Sequence, residues 1–180
     1  MKQIMIREAQ VEDATTIAEV VCMAIGYDHT HPIYPIFREL AAREDTQYSY
    51  RNTLIAEVDG AVAGAIIGYD GARLHELRAP IFELMERHFG EVLIIEDETE
   101  AGEFYLDSCA IFEQYRGMGI GSRLICAMRE RAFAAGHKCA GLIVDKDNPE
   151  AERLYRRLGF VCVGERRFLG HDMWHMQYLW

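Results

Sequence analysis

The residues with the clearest chemical potential are three closely spaced glycines, Gly117, Gly119 and Gly121, which follow an apolar run ending at Ile111. Glycine adopts positive φ angles without steric cost and lets a ligand approach the backbone closely. At the start of a helix, successive N–H groups point outward and the helix dipole favours negative charge. The segment is therefore predicted to bind a phosphate or pyrophosphate. A tight turn between a strand and a helix would use the same glycines, so these residues alone leave both interpretations open.

Two common nucleotide-binding motifs do not match this segment. A P-loop has the pattern G-x-x-x-x-G-K-[ST], and the segment contains no lysine. In the dinucleotide fingerprint G-x-G-x-x-G, Ser122 stands where the third glycine should be. The sequence therefore disfavours a nucleoside triphosphatase and a standard dinucleotide site, although a nucleotide-binding regulator that uses the glycines differently stays an alternative.

A second motif lies further along the chain, and the two motifs together resemble those of one family. The run from Arg116 to Gly121, R-G-M-G-I-G, resembles the R/Q-x-x-G-x-G/A signature of the GCN5-related N-acetyltransferase (GNAT) family. The run from Asn148 to Phe160, N-P-E-A-E-R-L-Y-R-R-L-G-F, resembles the family's second hallmark, N-x-x-A-x-x-L-Y-x-x-x-G-F. The specific resemblance covers residues 103–163, and elsewhere the order of predicted elements also fits.

The resemblance implies where acetyl-CoA would bind. In the family it lies where two neighbouring parallel strands splay apart, which here are residues 104–111 and 139–144. The backbone near Ala110 and Ile111 would hydrogen-bond the pantetheine arm, which the Asn148 side chain would also reach. The pyrophosphate would bind the backbone amides of Arg116, Gly117, Met118, Gly119, Ile120, Gly121 and Ser122. The resemblance also implies no metal ion and no covalent intermediate, because the amine attacks the thioester directly in a ternary complex.

Such an attack needs a proton donor for the leaving thiolate, and the resemblance assigns this general acid role to Tyr155. The alternative is an aromatic side chain in the core. The attack also needs a neutral amine, and an alkyl amine with a pKa near that of lysine, about 10.4, is mostly protonated at neutral pH. A carboxylate acting directly or through water would therefore assist as general base.

Glu103 and Asp107 are the candidate bases. Strand alternation places both on one face with Tyr105 and Cys109. We prefer Glu103 slightly, because family members often have a base near the start of this strand, whereas Asp107 would lie nearer the reacting centre in a regular strand. A β-bulge, which is frequent here in the family, would break the alternation for later residues. A solvated or structural carboxylate is the alternative for each.

The acceptor amine is expected to contact the carboxylate of Asp107 and a turn-rich aromatic loop that follows the first predicted helix. The candidate residues are Tyr27, His29, Tyr34 and Asp107, with Asp28 and His31 beside them. Near the C-terminus, His171, Asp172, Trp174 and His175 are further candidates for this site. The alternation of Trp174, Met176, Tyr178 and Trp180 instead favours a core or a homodimer interface, which we prefer. Residues 91–103 carry six carboxylates and predict a mobile acidic loop.

The helices and strands that the sequence predicts, and that must position these residues, form a mixed α/β chain. A central, mostly antiparallel sheet with one splayed parallel pair and helices on both faces is the GNAT fold that the resemblance implies. We expect one domain over residues 1–180. Asp13 is the predicted cap of the first helix. The alternation of Ile4 and Ile6 with polar neighbours predicts a short first strand. The further predicted elements are helices at 36–48, 73–89, 121–135 and from 149 to Gly159, and strands at 53–58, 61–69, 104–111, 139–144, 160–168 and 173–179.

Composition excludes several classes of protein. The net charge of −10 would repel a phosphate backbone, so no nucleic-acid partner is expected. The longest uncharged apolar stretch, residues 60–69, is about half of the ~20 residues that a membrane span requires, and the start of the chain has no apolar signal segment. Five widely spaced cysteines predict free thiols in the cytoplasm.

These observations predict an enzyme that transfers acetyl from acetyl-CoA to a primary amine. We expect a small-molecule acceptor, because the acidic surface and the insertion at residues 71–102 indicate an enclosed site. A protein or peptide acceptor is the alternative, and a non-catalytic acyl-CoA-binding module is a second one.

Overall fold

The computed structural model describes residues 2–90 and 92–180, and within them the chain forms seven strands and five helices. The strands are β1 (Ile4–Glu8), β2 (Thr53–Val58), β3 (Ala61–Asp70), β4 (Phe104–Ile111), β5 (Cys139–Asp145), β6 (Val161–Phe168) and β7 (His171–Leu179). The helices are α1 (Ala14–Ala24), α2 (Tyr34–Ala41), α3 (Leu74–Phe89), α4 (Ile120–Ala134) and α5 (Pro149–Arg157).

One sheet contains all seven strands in the order β1-β2-β3-β4-β5-β7-β6. Every neighbouring pair is antiparallel except β4 and β5, which α4 connects as a crossover helix. Asp59 and Gly60 both have positive φ, of 51° and 81°, and close the predicted two-residue hairpin between β2 and β3.

Helices cover both faces of the sheet. On one face, α1, α2 and α3 bury a core that includes Ile17, Phe37 and Leu84. On the other face, α4 and α5 pack over a second core that includes Leu124 and Phe160. The predicted mixed sheet between two helical layers is confirmed.

Two predictions about the first helices are wrong. The predicted helix over 36–48 is α2, which ends at Ala41, because the chain turns and the hydroxyl of Thr46 donates to the Leu40 carbonyl at the helix end. Asp13 precedes α1 but makes no side-chain cap to it. In the short turn over residues 11–13 its carboxylate instead accepts from the guanidinium of Arg7 and the amide of Gln10, and the residue is buried.

The predicted acidic loop is only partly exposed. Glu91 lies outside the described residues, and the segment from 92 to 103 contains no helix or strand. Glu98 and Glu103 are nevertheless 2% and 1% exposed, because each finds hydrogen-bond donors inside the protein. Glu98 pairs with Arg78 of α3, so this segment and α3 are tied together on one face of the sheet.

Candidate active site

The parallel strands β4 and β5 separate soon after they begin. Phe104 pairs with Ala140 and Tyr105 with Gly141, and no later pair joins the two strands in the described part of the chain. The edge of β4 that faces β5 is therefore free from Leu106 to Ile111. The predicted splay is present, and it leaves a gap in which an extended ligand can hydrogen-bond to the edge of β4 as an added strand does.

The glycine turn follows β4 and leads directly into α4. Gly117 and Gly119 have φ angles of 76° and 74°, and a Cβ at either would meet no atom within 4 Å. The first backbone bond of α4 joins the Arg123 N–H to the Gly119 carbonyl, so the preceding amides lack acceptors within the helix. The positive φ angles and the open space beside them fit a pyrophosphate group. The Arg116 amide, predicted to bind the pyrophosphate, instead donates to the Glu113 carbonyl at 3.1 Å. The amides that follow it belong to Gly117, Met118, Gly119, Ile120, Gly121 and Ser122.

Arg116 and Asn148 follow the C-terminal ends of β4 and β5, so they lie on the two sides of the open end of the gap. The Nε of Arg116 donates to the Ile111 carbonyl at 3.2 Å, which holds the glycine turn against the end of β4. The side-chain oxygen of Asn148 accepts from the Ala151 amide at 3.1 Å and caps α5. Asn148 is exposed, and its side-chain NH2 takes no part in this cap.

Tyr155 lies on the α4 side of the sheet, next to β4. Its ring packs edge-on against Phe160 with the ring centroids 6.0 Å apart, and it joins the cluster that contains Cys109. Burial raises the pKa of Tyr155 well above its usual range, and the nearby Cys109 thiol adds to this. A phenol with a raised pKa stays protonated at neutral pH, so it has a proton to give.

Asp107 lies at a bulge in β4, just beyond the last pair with β5. Two residues, Asp107 and Ser108, stand opposite the single Ile67 of β3. The carboxylate of Asp107 accepts from Ser108 Oγ at 2.7 Å and from Tyr69 Oη at 3.0 Å, and Gln47 Nε2 is 3.3 Å away. Burial raises the pKa of Asp107, although these hydrogen bonds and the charge of Arg78 oppose the shift.

The same bulge overturns one part of the strand alternation that we predicted. Cys109 packs with Leu106 on the α4 side, whereas Tyr105 packs with Tyr69 on the opposite face, the face that carries Asp107. The extra residue in β4 reverses the alternation between Asp107 and Cys109. Asp107 and Tyr155 therefore lie on opposite faces of β4, where the strand leaves β5.

Glu103 lies at the closed end of the gap. Its carboxylate extends across β5 above Gly141, where a Cβ would overlap it. It accepts from Thr99 Oγ1 at 2.7 Å and Gln177 Nε2 at 2.8 Å, and it lies 2.8 Å from His175 Nε2. Burial by itself raises the pKa of Glu103, but the bonds from His175, Thr99 and Gln177 outweigh it and lower the pKa. This geometry fits a structural carboxylate better than a general base.

The loop between α1 and α2 holds the predicted acceptor residues in a defined arrangement. The ring of Tyr27 stacks on His31 with the centroids 3.8 Å apart, and His29 meets Tyr34 edge-on at 6.5 Å. The Asp28 carboxylate accepts from the amide and hydroxyl of Thr30. Tyr27 is exposed, whereas Tyr34 packs partly against the core.

The C-terminal residues are mostly engaged within the protein. His171 pairs with Asp145 at 2.7 Å and Asp172 with Arg167 at 3.0 Å, both around the β6–β7 hairpin. Met176 is fully buried, and the other members of the predicted alternation are half-buried or, for Trp180, 38% exposed. His175, a further candidate for the acceptor site, is buried and contacts Glu103.

Sequence reasoning missed four side chains around Asp107, which are Gln47, Tyr69, Arg78 and Glu98. Tyr69 and Gln47 lie within elements that we predicted as an apolar strand and a helix, and no local pattern marked them. Within residues 2–90 and 92–180, no group of three or more His, Cys, Asp or Glu side chains could hold a metal ion, and no helix is long and apolar enough to cross a membrane.

Comparisons with known proteins give consistent results. The model of the acetyltransferase (GNAT) family matches residues 24–160. Acetyltransferase Atu2258 of Agrobacterium fabrum is 29% identical over 111 residues, which cover 61% of this chain and 80% of that protein. The spermine/spermidine N(1)-acetyltransferase of Bacillus subtilis is 32% identical over 80 residues, 43% of this chain and 52% of that protein. The chain thus matches only about half of the Bacillus enzyme.

Two solved structures resemble nearly the whole chain. One acetyltransferase crystal structure has a TM-score of 0.82 and 36% identity, and the match covers 97% of this chain and 98% of that one. An N-acetyltransferase from Staphylococcus aureus Mu50 has a TM-score of 0.84 and 26% identity, with 97% and 100% covered. The family model covers well over half of the sequence, and the splayed strands and glycine turn agree with it, so the chain belongs to the GNAT family of acetyltransferases.

Proposed function

We propose that this protein transfers acetyl from acetyl-CoA to the primary amine of a small molecule by direct attack in a ternary complex. The observation that carries the proposal is the gap between β4 and β5, which has Asp107 and Tyr155 on opposite faces of β4 and the glycine turn at its end. Acetyl-CoA would supply the activated acyl group when bound.

The side chains then have separate roles in the reaction. Asp107 accepts a proton from the attacking amine. A backbone N–H near Ile111 donates to the oxyanion that develops on the thioester carbonyl. Tyr155 donates its proton to the leaving thiolate, whose thiol has a pKa of about 8.5. Because Asp107 and Tyr155 lie on opposite faces of β4, the two proton transfers occur on opposite sides of the reacting carbon. Glu103 is the alternative base that the sequence favoured, and its three donors argue against it.

Three observations support a small acceptor. The insertion after β3, formed by α3 and the following segment, folds onto the face that carries Asp107 and buries the pair of Arg78 and Glu98 there. The aromatic loop from Tyr27 to Tyr34 follows directly after α1, which packs across β4. The similarity to a spermine/spermidine acetyltransferase adds support for a cationic amine. A protein or peptide acceptor is the alternative.

The test is an acetyl-CoA-dependent thiol-release assay over polyamines, amino acids, aminoglycosides and short peptides. We expect turnover with at least one small amine and a loss of about 100-fold or more in Asp107→Asn, the typical contribution of general base catalysis. Turnover with peptides only would replace the small-molecule proposal. Binding of CoA without turnover on any acceptor would favour the non-catalytic module, and preferential binding of ATP or NAD would favour a nucleotide-binding regulator.

We further propose that the protein is a cytoplasmic homodimer that pairs through its last hairpin. β6 is an edge strand, and Val161, Val163 and Leu179 on or beside it are about half exposed or more. All five cysteines are free thiols, which fits a reducing compartment. Light scattering of the purified chain tests the dimer, and a monomer at micromolar concentration would contradict it.

A further inference from the structure

A chain of buried side chains links the insertion to Asp107. The Arg78 guanidinium on α3 pairs with the carboxylate of Glu98, and both side chains are 3% exposed. The other oxygen of Glu98 lies 3.3 Å from the Tyr69 hydroxyl, which lies 3.0 Å from Asp107 Oδ2. The hydroxyl of Tyr69 thus stands between two carboxylates.

The Tyr69 hydroxyl has one proton and can donate to one carboxylate at a time. While Asp107 is ionised, this proton satisfies the Asp107 carboxylate, and Arg78 balances the charge of Glu98. When Asp107 has taken a proton from the amine, its new O–H needs an acceptor in a buried site. The Tyr69 oxygen can accept it, provided that the Tyr69 proton turns to Glu98 Oε1.

We propose that Tyr69 is a positioning residue which, with Glu98 as its second acceptor, keeps Asp107 hydrogen-bonded both before and after Asp107 takes the proton of the amine. The inference rests on the proposed role of Asp107 as general base. In that step an N–H bond of the amine breaks, its electron pair stays on nitrogen, and an O–H bond forms on Asp107. The protons of Asp107 and Tyr69 then reorient without leaving their oxygens.

The groups that face Asp107 come from every element around it. Each of the nearby charges or titratable groups belongs to a different segment of the chain. They are Tyr69 on β3, Tyr105 on β4, Arg78 on α3, Glu98 on the segment after α3 and Tyr48 after α2, with the Cys22 thiol of α1 beside Tyr48. Of these charged or titratable groups, only Tyr69 donates a hydrogen bond to the Asp107 carboxylate. The other two donors to this carboxylate, Ser108 and Gln47, are neutral.

The test measures the pKa of Asp107 directly by carboxyl 13C NMR of the full chain labelled at aspartate, with the Asp107→Asn spectrum to identify the resonance. Tyr69→Phe removes a donor to the ionised carboxylate and an acceptor for the protonated one. Because the hydrogen bond to the ionised form is the stronger of the two, the pKa of Asp107 should rise by about one pH unit. Glu98→Gln removes a nearby negative charge and leaves Arg78 in place, so the pKa should fall.

Tyr105→Phe is the matched control, because its ring meets the Tyr69 ring at 5.8 Å but its hydroxyl makes no hydrogen bond to Asp107 among the described residues. It should leave the titration unchanged. A folded Tyr69→Phe protein with an unchanged or lowered pKa overturns the inference, as does an equal rise in Tyr105→Phe. Full turnover in Asp107→Asn would instead overturn the base role, and the titration would still report on the hydrogen bonds.

Discussion

At the scale of single residues, burial raises the pKa of both groups proposed to transfer protons, Tyr155 and Asp107. The consequence differs, because one is an acid and the other a base. Burial raises the pKa of Tyr155, which keeps an acid protonated until the thiolate forms. It also raises the pKa of Asp107, which makes this carboxylate a stronger base. Burial thus makes Asp107 a stronger proton acceptor, whereas it keeps Tyr155 protonated but makes it a weaker acid.

The role of Tyr155 can be tested by removing its hydroxyl. In Tyr155→Phe, kcat should fall by about 10-fold or more while KM for acetyl-CoA changes little, because an acid acts in the transition state and contributes little to binding. Steady-state kinetics measure both constants. Tyr178→Phe is the control, since its ring also packs near Phe160, at 5.8 Å, and it should keep the wild-type kcat. An unchanged kcat in Tyr155→Phe, with chemistry rate-limiting, would refute the acid role.

Glu103 should contribute to stability in a pH-dependent way. Its folded-state pKa is lowered, so its contribution is fully present above the unfolded pKa of 4.5 and is lost as pH falls through the folded value. We expect Glu103→Gln to be less stable than the wild type at pH 7 and the difference to shrink in acid, as measured by denaturant unfolding. The exposed Glu83→Gln should differ little from wild type at any pH. A difference for Glu103→Gln that grows towards low pH would contradict this assignment.

At the scale of elements, Gly141 is required because the carboxylate of Glu103 lies over β5 at that position. Gly141→Ala should destabilise the protein by about 1–3 kcal/mol, the usual cost of forcing extra volume into a packed site. Thermal unfolding would show a Tm lowered by several degrees. Gly164→Ala in β6 is the matched control, because a Cβ there meets nothing within 4 Å. Equal Tm values for the two variants would show that the carboxylate moves aside freely.

The elements also show why sequence reasoning succeeded in one place and failed in another. The glycine turn and the motif at Asn148 are local patterns, so their positions and the strand–turn–helix order were predicted correctly. The bulge at Asp107 depends on pairing with β3, which the sequence of β4 does not reveal. Gln47, Tyr69 and Glu98 lie around Asp107 although they are far from it in the sequence, and only tertiary packing brings them together. The pairing of His175 with Glu103 was missed for the same reason.

At the scale of the whole molecule, binding in the gap should stabilise the fold. A ligand at 100 times its Kd adds about 2.7 kcal/mol, which raises Tm by about 5–10 °C for a chain of this length. We expect this shift with CoA and a smaller one with ATP or NAD, because only CoA carries an arm that can pair with the free edge of β4. Thermal unfolding with each compound measures it.

Gly119→Glu should abolish the shift with CoA by filling and charging the turn. Gly136→Glu is the control at the other end of α4, because Gly136 also has a positive φ, of 94°, and open space around it. Both variants place a glutamate at a positive φ on the surface, but only the first is at the predicted phosphate site, so only the first should lose binding. A folded Gly119→Glu protein that still responds to CoA would show that the pyrophosphate binds elsewhere.

The contact between Glu103 and Gly141 has a consequence for how this sequence can change. The space that a side chain at position 141 would need is occupied by the carboxylate of position 103, so the two cannot both be large. An exchange of Gly141 for a bulkier residue becomes tolerable only after Glu103 has been shortened. Relatives that keep this arrangement should therefore show correlated exchanges at the two positions, and their covariation would identify the buried carboxylate from sequences alone.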